Sequence, residues 1–169
     1  MTEDLWQWTA TDLASAIRTR KISSREALES CIARLDEVNP RINAVVDDLR
    51  EEARSIADAA DKSVKDVDAL GGLHGVPMTV KINVDYAGRA TTNGVVAFKD
   101  MIAAEDCVSV ANLRKAGAEI FGRTNVPGFS TRYFTDNALH GRTLNPRNAG
   151  LTPGGSSGGD AAAVAADFV

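Results

Sequence analysis

The sequence predicts an α/β protein in which helices come first and a glycine-rich sheet portion follows, and three observations predict it. All fourteen glycines of the 169 residues fall between Gly71 and Gly159, with none in residues 1–70. Apolar residues in the first part recur at helical spacing. In the second part a β-rich run is followed by a helical pattern, a glycine and another β-rich run, the order found in layered α/β sheets. The charge balance changes at the same place, with ten basic and fifteen acidic residues up to position 70 and nine and eight after it.

Taken in chain order, Thr9 and Asp12 can start a first helix whose apolar face is Leu13, Ala16 and Ile17. Ser23 stands three residues before Glu26, the spacing of a capping box. Ala27, Leu28, Cys31, Ile32 and Leu35 then carry a second helix to a stop at Asn39-Pro40. Residues Asp48 to about Ala60 read as a third helix with a charged, solvated face. The run Val76-Pro77-Met78-Thr79-Val80-Lys81-Ile82 follows Gly71, Gly72 and Gly75 and reads as a strand entering a core. Asp106 to Ala116 reads as a helix closed by Gly117, and Glu119-Ile120-Phe121 as a second strand ending at Gly122. Residues 123–155 read mostly as loop, a length that a compact domain tolerates when the loop is functional. An alanine-rich helix from Ala161 to Ala166 closes the pattern.

Composition excludes several classes. With 44% apolar and 25% charged residues the chain has the balance of a globular domain rather than a disordered one. A net charge of −4 and a pI near 5.2 argue against nucleic-acid binding through bulk electrostatics. Cys31 and Cys107 lack a metal-ligand spacing and read as buried free thiols, which suits a reducing, cytoplasmic setting. The segment Met1 to Trp8 carries Glu3 and Asp4 and no basic leader, and no apolar stretch has the ~20 residues of a membrane span. His74, between glycines, reads as a turn hydrogen-bonder. Trp6 and Trp8 read as packing for a terminal helix.

The most informative stretch is Thr152-Pro153-Gly154-Gly155-Ser156-Ser157-Gly158-Gly159-Asp160, which opens the alanine-rich helix. Four glycines around two serines let the backbone approach a ligand closely and turn N–H groups toward developing negative charge. A phosphate-binding Walker loop requires Lys-Ser/Thr after its last glycine. Asp160 stands there instead and would repel phosphate. The run Gly155 to Gly159 matches the nucleophile elbow of α/β-hydrolases in form, but that fold places its histidine after the serine, and His74 and His140 both precede it. A serine mechanism based on lysine fits better. A lysine acts as a base only when neutral, so burial must bring its pKa down from ~10.4 by several units. Lys81, behind the apolar run Val76 to Val80 and before Ile82, is suited to that.

The motifs Gly72-Leu73-His74-Gly75-Val76-Pro77-Met78-Thr79-Val80-Lys81, Gly88 with Thr91-Thr92-Asn93-Gly94, Gly122-Arg123-Thr124-Asn125, Asn145-Pro146 and Gly154-Gly155-Ser156-Ser157-Gly158-Gly159 occur in one order along the chain. Together they resemble the amidase signature family, over about Leu13 to Ala166. The resemblance implies that the chain is the N-terminal portion of a single amidase domain: helices in 1–70, then a glycine-rich part of a mixed-sheet α/β/α fold with the catalytic loop in 71–169. It also implies a Ser-cisSer-Lys triad that hydrolyses carboxylic amides through an acyl-enzyme. Carried across by position, Lys81 is the triad lysine and Ser156 the cis-serine, with a cis peptide bond between Gly155 and Ser156. Ser157, Gly154, Gly155, Gly158 and Gly159 support the loop and the substrate.

By the same resemblance, the nucleophilic serine and its oxyanion turn fall beyond Val169. The expectation is a chain that is incomplete or inactive alone, with a complementing chain or a homodimer as possible partners and a small-molecule amide as substrate. No cofactor, metal, nucleic acid or membrane is expected. Lys81 is followed by Ile82 where many members carry Asp, and Asp167-Phe168-Val169 departs from the usual glycine after the alanine run. Two alternatives stay open. One is a fragment like the A-type chain of the glutamyl-tRNA amidotransferases, although Phe129 to Asn137 looks more like the general amidases. The other is a non-catalytic gene remnant. Phe129, Tyr133 and Phe134 are candidates either for an acyl pocket or for ordinary core packing.

Overall fold

The structure is a computed structural model that describes residues 4–64 and 69–168. Glu3 of the N-terminal segment and Val169 of the terminal tripeptide lie outside the described residues. Among the described residues five α-helices surround a three-stranded mixed sheet: α1 (Ala10–Arg18), α2 (Ser24–Ile42), β1 (Val45–Asp48), α3 (Arg50–Ser63), β2 (Pro77–Lys81), α4 (Val108–Lys115), β3 (Glu119–Thr124) and α5 (Gly158–Ala165). A two-residue hairpin, β4 (Asp136–Asn137) with β5 (Gly141–Arg142), interrupts the long loop before α5.

Local chemistry sets the helix starts. Thr9 Oγ1 accepts from the Asp12 N–H and caps α1. At α2 both halves of the capping box form: Ser23 Oγ accepts from the Glu26 N–H, and the Glu26 carboxylate accepts from the Ser23 N–H. The second helix does not stop at Asn39-Pro40. Pro40 sits on the exposed side of the last turn, and α2 runs on to Ile42 and ends at Asn43, which adopts a left-handed conformation with φ 53°. The Asn39 amide makes the exit, its Oδ1 accepting from the N–H groups of Ala44 and Val45 and its Nδ2 donating to Val45 O.

The first seventy residues are therefore not all helix, since β1 follows this exit directly. It runs antiparallel to β3, while β2 runs parallel to β3, giving the order β1-β3-β2. The second strand reaches Thr124 rather than ending at Gly122. Gly122 is required by close approach, because a Cβ there would lie 2.7 Å from Val45 Cγ1. All of β3 is buried, so both sheet faces must be covered. Consecutive residues achieve this. Phe121 joins the core formed by α2, α3, α5 and β1, whereas Ile120 joins Val80, Tyr86, Leu49 and Val110 on the α4 side. α1 buries Leu13 and Ile17 in a smaller cluster with Leu5, Ala27 and Val76.

Cys31 is a buried free thiol. Cys107 is a free thiol only partly buried beside the α4 cluster, a correction to the reading of two buried cysteines that follows from its place at the exposed cap of α4. Trp6 packs against the main core and Trp8 against the smaller one. His74 Nε2 lies 3.2 Å from Ala60 O at the end of α3. No helix among the described residues is long and apolar enough to cross a membrane.

Candidate active site

Lys81 ends β2, and its partner across the parallel ladder is Thr124, the last residue of β3. The serine loop arrives at these same strand ends, where parallel sheets commonly place their ligands. Glycine makes the approach possible. A Cβ on Gly159 would lie 2.4 Å from both the N and O of Asn125, just past β3, and one on Gly155 would lie 2.3 Å from Arg132 O. Gly154 has φ +98°, its N–H donates to Thr152 Oγ1, and its carbonyl accepts from Thr135 Oγ1 at 3.0 Å. Gly158 and Gly159 are buried where α5 begins, and Ser157 is the N-cap without a side-chain capping bond. The Gly155–Ser156 peptide bond is cis.

With the loop so placed, Lys81 Nζ lies 2.9 Å from Ser156 Oγ and 3.0 Å from Ser157 Oγ. Partial burial draws the amine below the ordinary lysine range, and the negative charge of Asp160 opposes that shift. Asp160 Oδ1 itself accepts a hydrogen bond from Thr124 Oγ1. From sequence, Asp160 reads only as a charge that rejects phosphate and Thr124 only as one letter of a motif. The signal available for both is their position, next to a loop glycine and at a strand end.

Behind the lysine, Arg123 is fully buried on β3. Its Nη1 donates to Asp47 Oδ2 and Ala90 O, both at 3.0 Å, and its Nη2 to Ile82 O at 3.1 Å and Val84 O at 3.2 Å. One guanidinium thus gathers three carbonyls of the loop that leaves Lys81, a use of its planar set of donors that a lysine could not match. Nothing in the local sequence pattern announces that burial. Among the described residues no three His, Cys, Asp or Glu side chains are grouped to hold a metal ion.

Phe129, Tyr133 and Phe134 are 59%, 88% and 47% exposed, which excludes core packing among the described residues. The backbone of 132–134 nonetheless lies directly against Gly155, so the segment that carries Tyr133 and Phe134 runs beside the serine loop. Phe129 is held by an edge contact with Phe98, ring centroids 5.8 Å apart.

Comparison with known proteins gives the family. The chain is 56% identical over 162 residues to an indoleacetamide hydrolase of Bradyrhizobium diazoefficiens, a match that covers 96% of the chain and 31% of that protein. It is 36% identical to the A-type chain of the glutamyl-tRNA(Gln) amidotransferase of Lachnospira eligens, over 96% of the chain and 34% of the relative. A crystal structure of a bacterial aryl acylamidase of the amidase signature family superposes with a TM-score of 0.91 at 33% identity, over 96% of the chain and 34% of that structure. The chain thus spans about a third of the length of the relatives it matches. The Amidase family model matches residues 26–169, and the chain belongs to that family, the amidase signature proteins.

Proposed function

We propose that this chain supplies the proton relay of a Ser-cisSer-Lys site that hydrolyses a small or aryl carboxylic amide to the acid and ammonia. The observation that carries the reading is the 2.9 Å separation of Lys81 Nζ from Ser156 Oγ, with the amine partly desolvated. The chain forms part of a single amidase domain, and the nucleophile is a further serine that the family resemblance sets downstream of Val169. Neutral Lys81 accepts the Ser156 proton while Ser156 Oγ accepts the proton of the nucleophilic hydroxyl, whose oxygen bonds to the amide carbon. The ammonium so formed returns its proton through Ser156 to the amide nitrogen, the C–N bond breaks and ammonia leaves. Water then releases the acid by the same relay. Ser157 Oγ, as the second partner of Nζ, fixes the direction of the amine. Every proton is accounted for by these groups, so the relay calls for no cofactor.

The substrate class is supported by the segment carrying Tyr133 and Phe134, whose backbone lies against the loop, and by the high identity to a protein named for an indole amide. A second reading, the A-type chain of an amidotransferase working with partner chains, has the support of the 36% identity to such a protein. Complementation tests both. The chain is mixed with the portion of the indoleacetamide hydrolase that follows the matched region, and ammonia release from indole-3-acetamide is measured. Hydrolysis that is lost in Lys81→Ala and in Ser156→Ala is expected. Hydrolysis that survives either substitution refutes the relay, and activity that emerges only with amidotransferase partner chains favours the second reading.

A further inference from the structure

Asp160 is drawn close to the lysine by the fold, yet the relay does not use it. It occupies the third position of α5, four residues after Ser156. Thr124 Oγ1 donates to its Oδ1, and the same hydroxyl lies 3.4 Å from Val80 O, on the strand that carries Lys81. Thr124 also faces Lys81 in the β2–β3 register. The carboxylate is therefore tethered beside the amine. No ion pair within 4.0 Å joins the two, and the hydrogen bonds of Nζ go to the two serines instead.

We infer that Asp160, held off by Thr124, is a positioning residue that sets the pH at which Lys81 passes from ammonium to free amine. The inference rests on the reading of Lys81 as the proton acceptor. Two extremes would each disable such a group. A lysine with no counter-charge in a half-buried site loses its proton so readily that it becomes a weak base, and one in direct ion pairing stays an ammonium. The Thr124 hydroxyl engages the carboxylate and keeps it between these limits. The negative charge then acts through space and opposes the effect of burial on Lys81. Other charged groups stand nearby. Arg123, the neighbour of Thr124 on β3, turns to the opposite face and to Asp47. Arg147 and Asp167 share with Asp160 the hollow beside α5.

The test is competitive labelling of the whole chain with trace acetic anhydride from about pH 6 to about pH 11, which brackets ordinary and depressed lysines. Peptide mass spectrometry reads each lysine separately, and the exposed Lys99 and Lys115 serve as internal references. In the wild-type chain the Lys81 midpoint is expected below those of the references. A midpoint at their level overturns the reading of Lys81 itself. Asp160→Asn retains an acceptor for Thr124 but removes the charge, and is expected to lower the Lys81 midpoint by about one further unit with the references unmoved. An unchanged or raised midpoint in that variant overturns the role of Asp160. Thr124→Val releases the carboxylate and is expected to move the Lys81 midpoint up. Should Asp160→Asn lose its helical circular dichroism, Thr124→Val decides alone, and an unmoved or lowered midpoint there overturns the inference.

Discussion

Glu119 offers a test of the folded core that is independent of catalysis. Its side chain is fully buried at the start of β3, where Ser24 Oγ donates to Oε1 and Oε2 has no hydrogen-bond partner among the described residues. Burial pushes the carboxyl up from 4.5 to about 7; the Ser24 hydrogen bond opposes the shift, and the charges of Asp61 and Asp58 add to it. Because the folded value is the higher one, the sign is fixed. Below the unfolded value both states hold the proton and no penalty applies. As pH rises toward the folded value the unfolded chain ionises while the folded one does not, and stability falls until the loss is complete. Two and a half units at 1.36 kcal/mol each give a total of about 3 kcal/mol, of which about 2–3 kcal/mol is lost between about pH 5 and about pH 8. Glu119→Gln keeps the acceptor for Ser24 and removes the ionisation. Urea unfolding followed by Trp6 and Trp8 fluorescence at the two pH values should show the variant gaining that amount on wild type at the higher pH. A stability difference between the two proteins that is the same at both pH values would refute the argument.

Three further substitutions probe other parts of the structure. Gly159→Ala sets a methyl group 2.4 Å from the Asn125 backbone, so α5 must move. A loss of about 2 kcal/mol in urea unfolding is expected, together with labelling of Lys81 at the pH of an ordinary surface lysine. Phe168→Ala empties a fully buried site in the main core and should cost about 3–5 kcal/mol in the same unfolding measurement. Arg123→Met leaves Asp47 and the carbonyls of Ile82, Val84 and Ala90 without their donor. A loss of about 3 kcal/mol or more is expected, with faster amide hydrogen exchange in the segment after Lys81 as the local signature.

What could be read in the sequence was what short-range chemistry decides. Ser23 with Glu26 and Thr9 with Asp12 announce their helices because donor and acceptor are three residues apart. β1 stayed hidden for the opposite reason. Four residues, two of them aspartates, carry too little pattern, and their pairing depends on β3 far along the chain. Pro40 misled in the same way: its missing N–H matters little in a last turn that Asn39 and Asn43 close with other groups. Within the site, Lys81 and the serine loop were legible as separate motifs, while the tether from Thr124 to Asp160 and the burial of Arg123 arise only when β2, β3 and α5 meet. Exposure of Phe129, Tyr133 and Phe134 was likewise unreadable, since large aromatic residues in a loop are usually covered.

The central place of β3 dictates an order of assembly. β1 and β2 hydrogen-bond to β3 and not to each other, so neither has a strand to pair with until Glu119–Thr124 has been synthesised. On the ribosome α1, α2 and α3 can gather early through near neighbours in the chain, whereas the sheet must wait and the joining of Lys81 to Ser156 comes later still, closing a span of 75 positions. A ribosome that stalls between β2 and β3 would hold a nascent chain with two wholly unpaired strands, the kind of species that chaperones must shield.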